Sequence, residues 1–503
     1  MSARPLLVLG FEMGDGDTFH RFAADGTMPV VAEFLAGGLR RLASPADRLH
    51  IAAWPSLYTG MPPGEHGVYF TFQPRPGVQG WVRFETGLYG VPTLWRRLDG
   101  AGVRTLVFDA PYTHPEEGHG GAAVFDWGCW ARYLDGVSRP APLLGRLRRA
   151  VGRYPLPWEA HDLGFAPLDV DRVVPALERA LAARARAAAW LLREHAVDFA
   201  LMVFGETHVA GHYLFGDEDA LRRFHAALDD AVGRVLEAAG PAWDVVLVSA
   251  DGTRPNRAGW HLLPEVLARF GWYASAEHAA GATEDGDTEK PAVAGGGFDP
   301  VRRLRDLLPQ DLRKSLARRL PRALRDRLAR RVDTAAVDWS RTRAYPLPTD
   351  LEGLIRLNLR GREPEGTVAP EAARALVEEM RAKLSELVDP ARGRRVVREV
   401  LVVDEVFPGR RRDRLPDLVV VWDDAAPVEA VHHPEIGTVC GCSPDPRPGT
   451  HAGPGFAATR GGVAAAEGDV LDLAPSVLAR FGVAPPAEMR GEVWPEIAAG
   501  GDR

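Results

Sequence analysis

Short runs of branched and aromatic apolar residues recur along the chain, and each halts on an acidic, small or polar residue. The first is the Leu-Leu-Val-Leu-Gly-Phe run within Pro5 to Glu12. Arg104 to Asp109, Asp198 to Phe204, Trp243 to Ser249 and Asp417 to Trp422 repeat the pattern. Runs this short, apolar at consecutive positions, read as strands buried on both faces. Between them lie stretches with helical spacing. Val170 to His195 is rich in Ala, Leu and Arg, and Asp219 to Ala239 sets Leu221, Phe224, Leu228, Val232 and Leu236 on one face. Alternating strands and helices predict an α/β fold: a mostly parallel central sheet flanked by helices. Folds of this class carry their chemistry at the C-terminal ends of the strands.

The chain is long enough for that plan. It has 503 residues, 46% hydrophobic and 26% charged, so a large core is available without staples. Residues 277–297 are a Gly/Ala/acidic stretch that reads as a loop. Residues 301–332 are dense in Arg, with Leu at helical spacing broken by Pro309 and Pro321. A helical cap with a solvated Arg face is expected there; a phosphate- or membrane-binding basic helix is the alternative. The expected organisation is a core formed by 1–270 and 346–503, with a basic helical insertion at 271–345.

Other classes are disfavoured. A net charge of −7 gives no general attraction to nucleic acid. Cys129, Cys440 and Cys442 are too few and too odd for a disulfide framework, which fits a reducing compartment. Cys440-Gly441-Cys442 lacks a second pair to complete a soft-metal site. The N-terminal apolar run is too short for a signal or membrane span, and no stretch of about eighteen apolar residues follows. A cytoplasmic protein without a membrane span is expected.

Several polar residues fall at predicted strand ends or in glycine loops. Glu12 ends the opening strand. His208 and His212, in FGETHVAGHYLFG, follow another at a spacing that shares one helix face. Asp251 sits in VLVSADG, and His451 in GTHAGPG. Singly each has a plain structural reading: a packed histidine, or an Asp forming a turn. Together, imidazoles and carboxylates at several strand ends are the donors a zinc- or manganese-type site requires. Arg254 is a candidate clamp for an anionic oxygen. Asn256 and His261 are expected either to line the pocket or to cap a helix. His66 is expected to order its turn, Trp127 and Trp130 to form pocket wall or core. The Gly14-Asp15-Gly16-Asp17 stretch lacks the length and terminal Glu of a calcium loop.

Ala52 to Gly67, AAWPSLYTGMPPGEHG, resembles the segment after the nucleophile in type I phosphodiesterase/nucleotide pyrophosphatase proteins of the alkaline phosphatase superfamily. Arg356 to Gly366 (RLNLRGREPEG), the GTHAGPG loop, and Asp469 to Trp494 (DVLDLAPSVLARFGVAPPAEMRGEVW) resemble later segments in the same order. The resemblance implies an alkaline phosphatase-like core and two metal ions holding a phosphoryl group, about 4 Å apart. One ion takes an Asp, a His four residues on and the late loop His; His208, His212 and His451 match these. The other takes an N-terminal Asp, the nucleophile hydroxyl and a strand-end Asp-His pair, matched by Glu12, His50, Ala250 and Asp251. Ala250 has no ligating atom, and His50 stands where a Thr or Ser is usual.

Without that hydroxyl the covalent phospho-threonine step has no nucleophile. Attack by a metal-activated hydroxide, with His50 as ligand or base, is the leading expectation; His50 as nucleophile is the other. The resemblance thus implies a metal-dependent phosphodiesterase- or phosphatase-type hydrolase. It would use one or two divalent ions, zinc first and manganese or iron next, on a small anionic phosphoester. The alternative is a catalytically altered member, either a pseudoenzyme or a metal enzyme of different biosynthetic chemistry.

Overall fold

The structure, a computed structural model, describes residues 3–83, 89–113, 120–128, 136–156, 169–275, 324, 327 and 337–499. It divides into two compact units, Met1–Tyr69, Glu85–Asn256 and Pro444–Arg503 in the first, and Phe70–Phe84 and Arg257–Ser443 in the second.

The first unit is built on a nine-stranded sheet. In spatial order its strands are Glu467–Asp469, Arg40–Ala43, Gly455–Thr459, Asp244–Ser249, Leu6–Phe11, Phe199–Phe204, Thr105–Phe108, Ala122–Phe125 and Val137–Arg139. Leu6–Phe11 runs parallel to both neighbours, and Thr105–Phe108 to both of its own. Antiparallel pairings are confined to the flanks, at Gly455–Thr459 and Val137–Arg139.

The consecutive apolar runs are explained by two cores. On the opening strand, Leu7, Leu9 and Phe11 face a core with Leu177, Leu181, Phe224 and Leu228 of the long helices Val170–Glu194 and Glu218–Ala239. Leu6 and Val8, pointing the other way, face Trp54, Leu57, Leu94, Leu98 and Val477 from shorter helices. Side chains alternate across a strand, so only a sheet covered on both faces requires an unbroken apolar run. Burying each such side chain stabilises by about 1.5–3 kcal/mol. Both helices start as capped helices do. Asp169 accepts from Asp171 N, and Asp217 from Ala220 N.

The second unit has its own core around an antiparallel sheet of Ala344–Pro346, Gly353–Leu357, Leu418–Trp422 and Val397–Val402. The helix Pro370–Ser385 packs there through Leu376, Met380 and Leu384. One sequence expectation is refined, and another falls mostly beyond the described residues. The Asp417 to Trp422 run is a strand, but of this sheet and not of the central one. The expected insertion at 271–345 lies largely outside the described residues, and the compact unit containing its ends extends over Arg257–Ser443. The loop at 277–297 and the basic stretch 301–332 fall outside the described residues, apart from two exposed positions, 324 and 327.

The RLNLRGREPEG segment is a buried polar network of this second unit. Arg356 donates to Glu363 Oε1 at 2.9 Å and to the Leu415 carbonyl at 2.6 Å. Arg362 pairs with Asp417 through both terminal nitrogens, and Asn358 donates to the carbonyls of Thr342 and Glu365. Burial in such a network demands that every charge be paired. Cys440 and Cys442, also of this unit, are free and exposed.

Candidate metal centre

The parallel strands of the first unit end at one edge. Phe11 is in register with Phe204, and Gly10 with Val248, so Glu12, Glu206 and Asp251 emerge close together. Immediately after Phe199–Phe204 comes the helix Glu206–Tyr213, all eight of whose residues are buried. Its start is anchored by a buried guanidinium. Arg184 bonds both Glu206 oxygens at 2.6–2.8 Å, Asp109 at 2.9 Å, and the carbonyls of Val203 and Gly128. Tyr154 adds a 2.7 Å bond to Glu206. Asp109 in turn accepts from the amides of Trp127 and Gly128, past the end of the neighbouring strand.

With that end fixed, His208 and His212 share one face of the helix, their ring centroids 4.6 Å apart. His451 comes from elsewhere, on the strand Gly449–Ala452, which pairs antiparallel with Gly252–Pro255 so that His451 opposes Thr253. Two glycines let this ribbon approach the helix. A Cβ at Gly449 would fall 2.0 Å from the Gly211 carbonyl oxygen, and one at Gly211 would fall 2.9 Å from the Thr253 methyl. His208, His212 and His451 each present a ligating atom within 4.8 Å of the others, and all three are buried.

The hydrogen bonds decide which ring atoms are presented. A carbonyl oxygen only accepts, so the 2.8 Å contact makes His212 Nδ1 the donor to Gly449 O. Nε2 of His212 is then a lone pair, buried and without a hydrogen-bond partner among the described residues. Burial holds this imidazole's pKa well below its usual value, helped by the Arg447 charge and the two other histidines. His212 is therefore neutral, the form that ligates. His451 Nδ1 lies 2.6 Å from Asp251 Oδ2, which leaves its Nε2 for the shared space.

The ligating atoms of the three rings lie within 4.8 Å of one another, near enough to converge on one ion bonded at about 2.0–2.1 Å. A buried orphan nitrogen, two rings pinned through Nδ1 and three convergent imidazoles fit a divalent zinc-, manganese- or iron-type ion.

The other expected residues divide. Glu12 is buried, with Oε1 3.3 Å from His208 Nδ1, but is not within the three-histidine group. His50 opens the turn before the helix Ala53–Thr59, its ring centroid 4.9 Å from that of His451. Asp251 stands behind His451, and its other oxygen accepts from Met13 N at 3.1 Å. Burial raises the Asp251 pKa to about 7, against the Met13 amide and the charges of His208 and His50. Arg254 lies in the ribbon beside Thr253, 3.8 Å from Asp47. Asn256 is a brace, donating to Asp445 Oδ2 at 2.9 Å and Arg447 O at 3.1 Å. His261 belongs to the second unit, where its Nε2 donates to Gly441 O at 3.0 Å.

The remaining candidates are structural. His66 accepts from Val68 N and bonds Ser56, ordering its turn. Asp15 caps the helix Gly16–Ala24, and Asp17 pairs with Arg41. Trp127 is in the core; Trp130 and Cys129 lie outside the described residues. Sequence reading missed Arg447, buried against Asp445 and felt by His212, and Gly211 and Gly449, whose importance appears only where two elements touch. No spacing pattern marks them. Among the described residues, no helix is long and apolar enough to cross a membrane.

The type I phosphodiesterase / nucleotide pyrophosphatase family matches residues 6–438. No curated protein matches the chain. The fold is similar to phosphonoacetate hydrolase from Sinorhizobium meliloti 1021, solved in complex with phosphonoformate. Identity is 14% and the TM-score 0.51, over 91% of this chain and 90% of that one. Murine ectonucleotide pyrophosphatase / phosphodiesterase 5 is also similar, at 11% identity and a TM-score of 0.47 over 96% of each chain.

Proposed function

The chain belongs to the type I phosphodiesterase / nucleotide pyrophosphatase family of the alkaline phosphatase superfamily, and from that premise we propose that it is a metal-dependent hydrolase of small phosphate esters. The observation that carries this reading is the buried, unpartnered Nε2 of His212, converging with His208 and His451. These three side chains would hold the ion. When bound, a divalent ion supplies Lewis-acid stabilisation of the charge on the phosphoryl oxygens.

The proton work falls to His50. It sits beside His451 at the start of a turn, where relatives of this type place a hydroxyl nucleophile. An imidazole there takes the proton of a water whose oxygen attacks phosphorus. As the ester P–O bond breaks on the opposite face, the departing alkoxide takes a proton from solvent water, and His50 returns its own proton to solvent to complete the cycle. Such a general base contributes typically about 10²–10⁴-fold. Arg254, flanking the cross-strand partner of His451, is our assignment for contact with a substrate oxygen.

The test pairs metal analysis with turnover of bis(p-nitrophenyl) phosphate and p-nitrophenyl phosphate. His212→Ala is expected to lose both metal and turnover. His50→Ala is expected to keep its metal and lose turnover by about 10²–10⁴-fold. Loss of metal from His50→Ala would make His50 a ligand and refute the proton role. Unchanged metal content in His212→Ala would refute the site. Bound metal without turnover of either ester would favour the altered-chemistry reading, which the His50 and Ala250 side chains also favour.

A further inference from the structure

We infer that this centre is built for a single ion, and that Asp251 serves it from behind as the hydrogen-bond partner orienting His451, not as a ligand. The inference rests on the proposed function and deepens it.

Both oxygens of Asp251 are already directed. Oδ2 meets His451 Nδ1 at 2.6 Å, and Oδ1 accepts from Met13 N at 3.1 Å. The carboxylate is buried at 1% exposure, so the protein atoms around it set the direction of both oxygens. The backbone around it is fixed. Met13 adopts a left-handed φ of 56°, unusual for a side chain of its size, and this turns its amide onto Asp251. Ser249 Oγ bonds the Asp251 carbonyl at 2.6 Å and accepts from Gly14 N at 3.1 Å, locking the ends of two parallel strands together.

His451 and His212 thereby receive the same treatment through different partners. Each has Nδ1 tied, one to a carboxylate and one to the Gly449 carbonyl, and each turns Nε2 inward. An acceptor behind a ligating imidazole fixes its tautomer and ring angle. With Asp251 in that role, the ligands for a second ion run short. Ala250 is a methyl group at a strand end, and of the matched positions among the described residues Glu12 and His50 remain. Glu12 Oε1 is turned to His208, 3.3 Å away, which leaves its buried Oε2 as one ligand atom beside His50. A catalytic zinc site takes three protein ligands, so a second ion would be left one short.

The experiment uses the full chain, stripped with chelator, reloaded with zinc, dialysed and assayed for metal by plasma mass spectrometry. Affinity is measured by competition with a chromophoric chelator. One equivalent is expected in the wild type. Asp251→Asn is expected to hold one equivalent with affinity weaker by about 10–100-fold. Two equivalents in the wild type would overturn the inference while leaving the metallohydrolase reading standing. No bound metal in the wild type would overturn that reading, and the inference with it. Failure of folded Asp251→Asn to bind zinc at saturation would make Asp251 a ligand and overturn the orienting role. Should that variant not fold, the wild-type stoichiometry decides alone. Cobalt substitution gives a second readout. The visible band of the wild-type cobalt protein should match a single tetrahedral site, and a five- or six-coordinate spectrum would count against three-histidine ligation.

Discussion

The Nδ1–H of His212 donates to the carbonyl oxygen of Gly449 across 2.8 Å, joining the helix that carries two of the histidines to the strand that carries the third. One bond thus sets the tautomer of a candidate ligand and the distance between two elements far apart in sequence. The contact exists because neither facing residue has a side chain in the way. Gly449 and Gly211 occupy positions where a Cβ would collide with the opposite element.

Gly449→Ala should therefore separate stability from metal binding. Its Cβ would sit 2.0 Å from the Gly211 oxygen, so the ribbon must move. Overpacking of this kind costs about 1–3 kcal/mol, which a folded protein of this size tolerates. The larger effect should be on zinc affinity, about tenfold or more weaker, because His212 loses its orienting acceptor. Chelator competition and chemical denaturation of the same preparation distinguish the two. Undiminished zinc affinity would mean that the Gly449 bond does not orient the ligand.

Metal should stabilise the fold through this site alone. At free zinc one hundred times the dissociation constant, linkage adds about 2.7 kcal/mol. Thermal unfolding of the wild type should shift upward with zinc and return with chelator. His212→Ala should show no shift. An equal shift in the variant would place the stabilising ion elsewhere.

His66 and His225 should steepen acid unfolding. Burial lowers the His66 pKa to about 3, and that of His225 to about 4, from an ordinary 6.5. Both are neutral in the fold at pH values where the unfolded chain protonates them. Between about pH 3 and 6.5 the unfolded state therefore holds more protons, and stability rises with pH. The contribution is complete above 6.5 and is lost as pH falls towards the folded values. His66→Gln keeps a donor and an acceptor but cannot titrate. Its stability should depend on pH less steeply between 4.5 and 6, by about 1.4 kcal/mol per pH unit. Urea unfolding across that window measures it, and parallel slopes would show that His66 charges within the fold.

Arg184 should be far less replaceable than either of its partners. It neutralises Glu206 and Asp109 in a fully buried setting. Arg184→Met would leave two carboxylates unpaired at the start of the histidine helix, a loss of about 3–5 kcal/mol or more. Glu206→Gln leaves the guanidinium paired with Asp109 and should cost less. Denaturation midpoints of the two variants test the order; equal losses would refute it.

Much of the fold was legible in the chain because burial on both faces writes itself locally. Leu6 to Phe11 is apolar throughout since its alternate residues enter two different cores. The long helices follow from one apolar stripe and an Asp cap each, within a residue or two of the expected ends. His208 and His212 were legible as a pair because four residues make one helical turn. The Asp417 to Trp422 run was equally plain as a strand, yet nothing local assigns it to the second unit's sheet, since strand pairing is a long-range choice.

By itself, then, the sequence determined the fold class, the strand-end placement of the polar residues and the family. The first two rest on periodicity and local spacing, which a chain carries wherever it goes; the family rests on the resemblance of whole segments such as AAWPSLYTGMPPGEHG and GTHAGPG to known members. Tertiary structure alone decided which of those residues meet. It put His451 against His208 and His212, set Asp251 behind His451, turned Asn256 to Asp445, and made the RLNLRGREPEG segment a buried brace. Whether a carboxylate ligates or orients depends on which atoms lie within about 3 Å of its two oxygens, and those atoms come from distant parts of the chain.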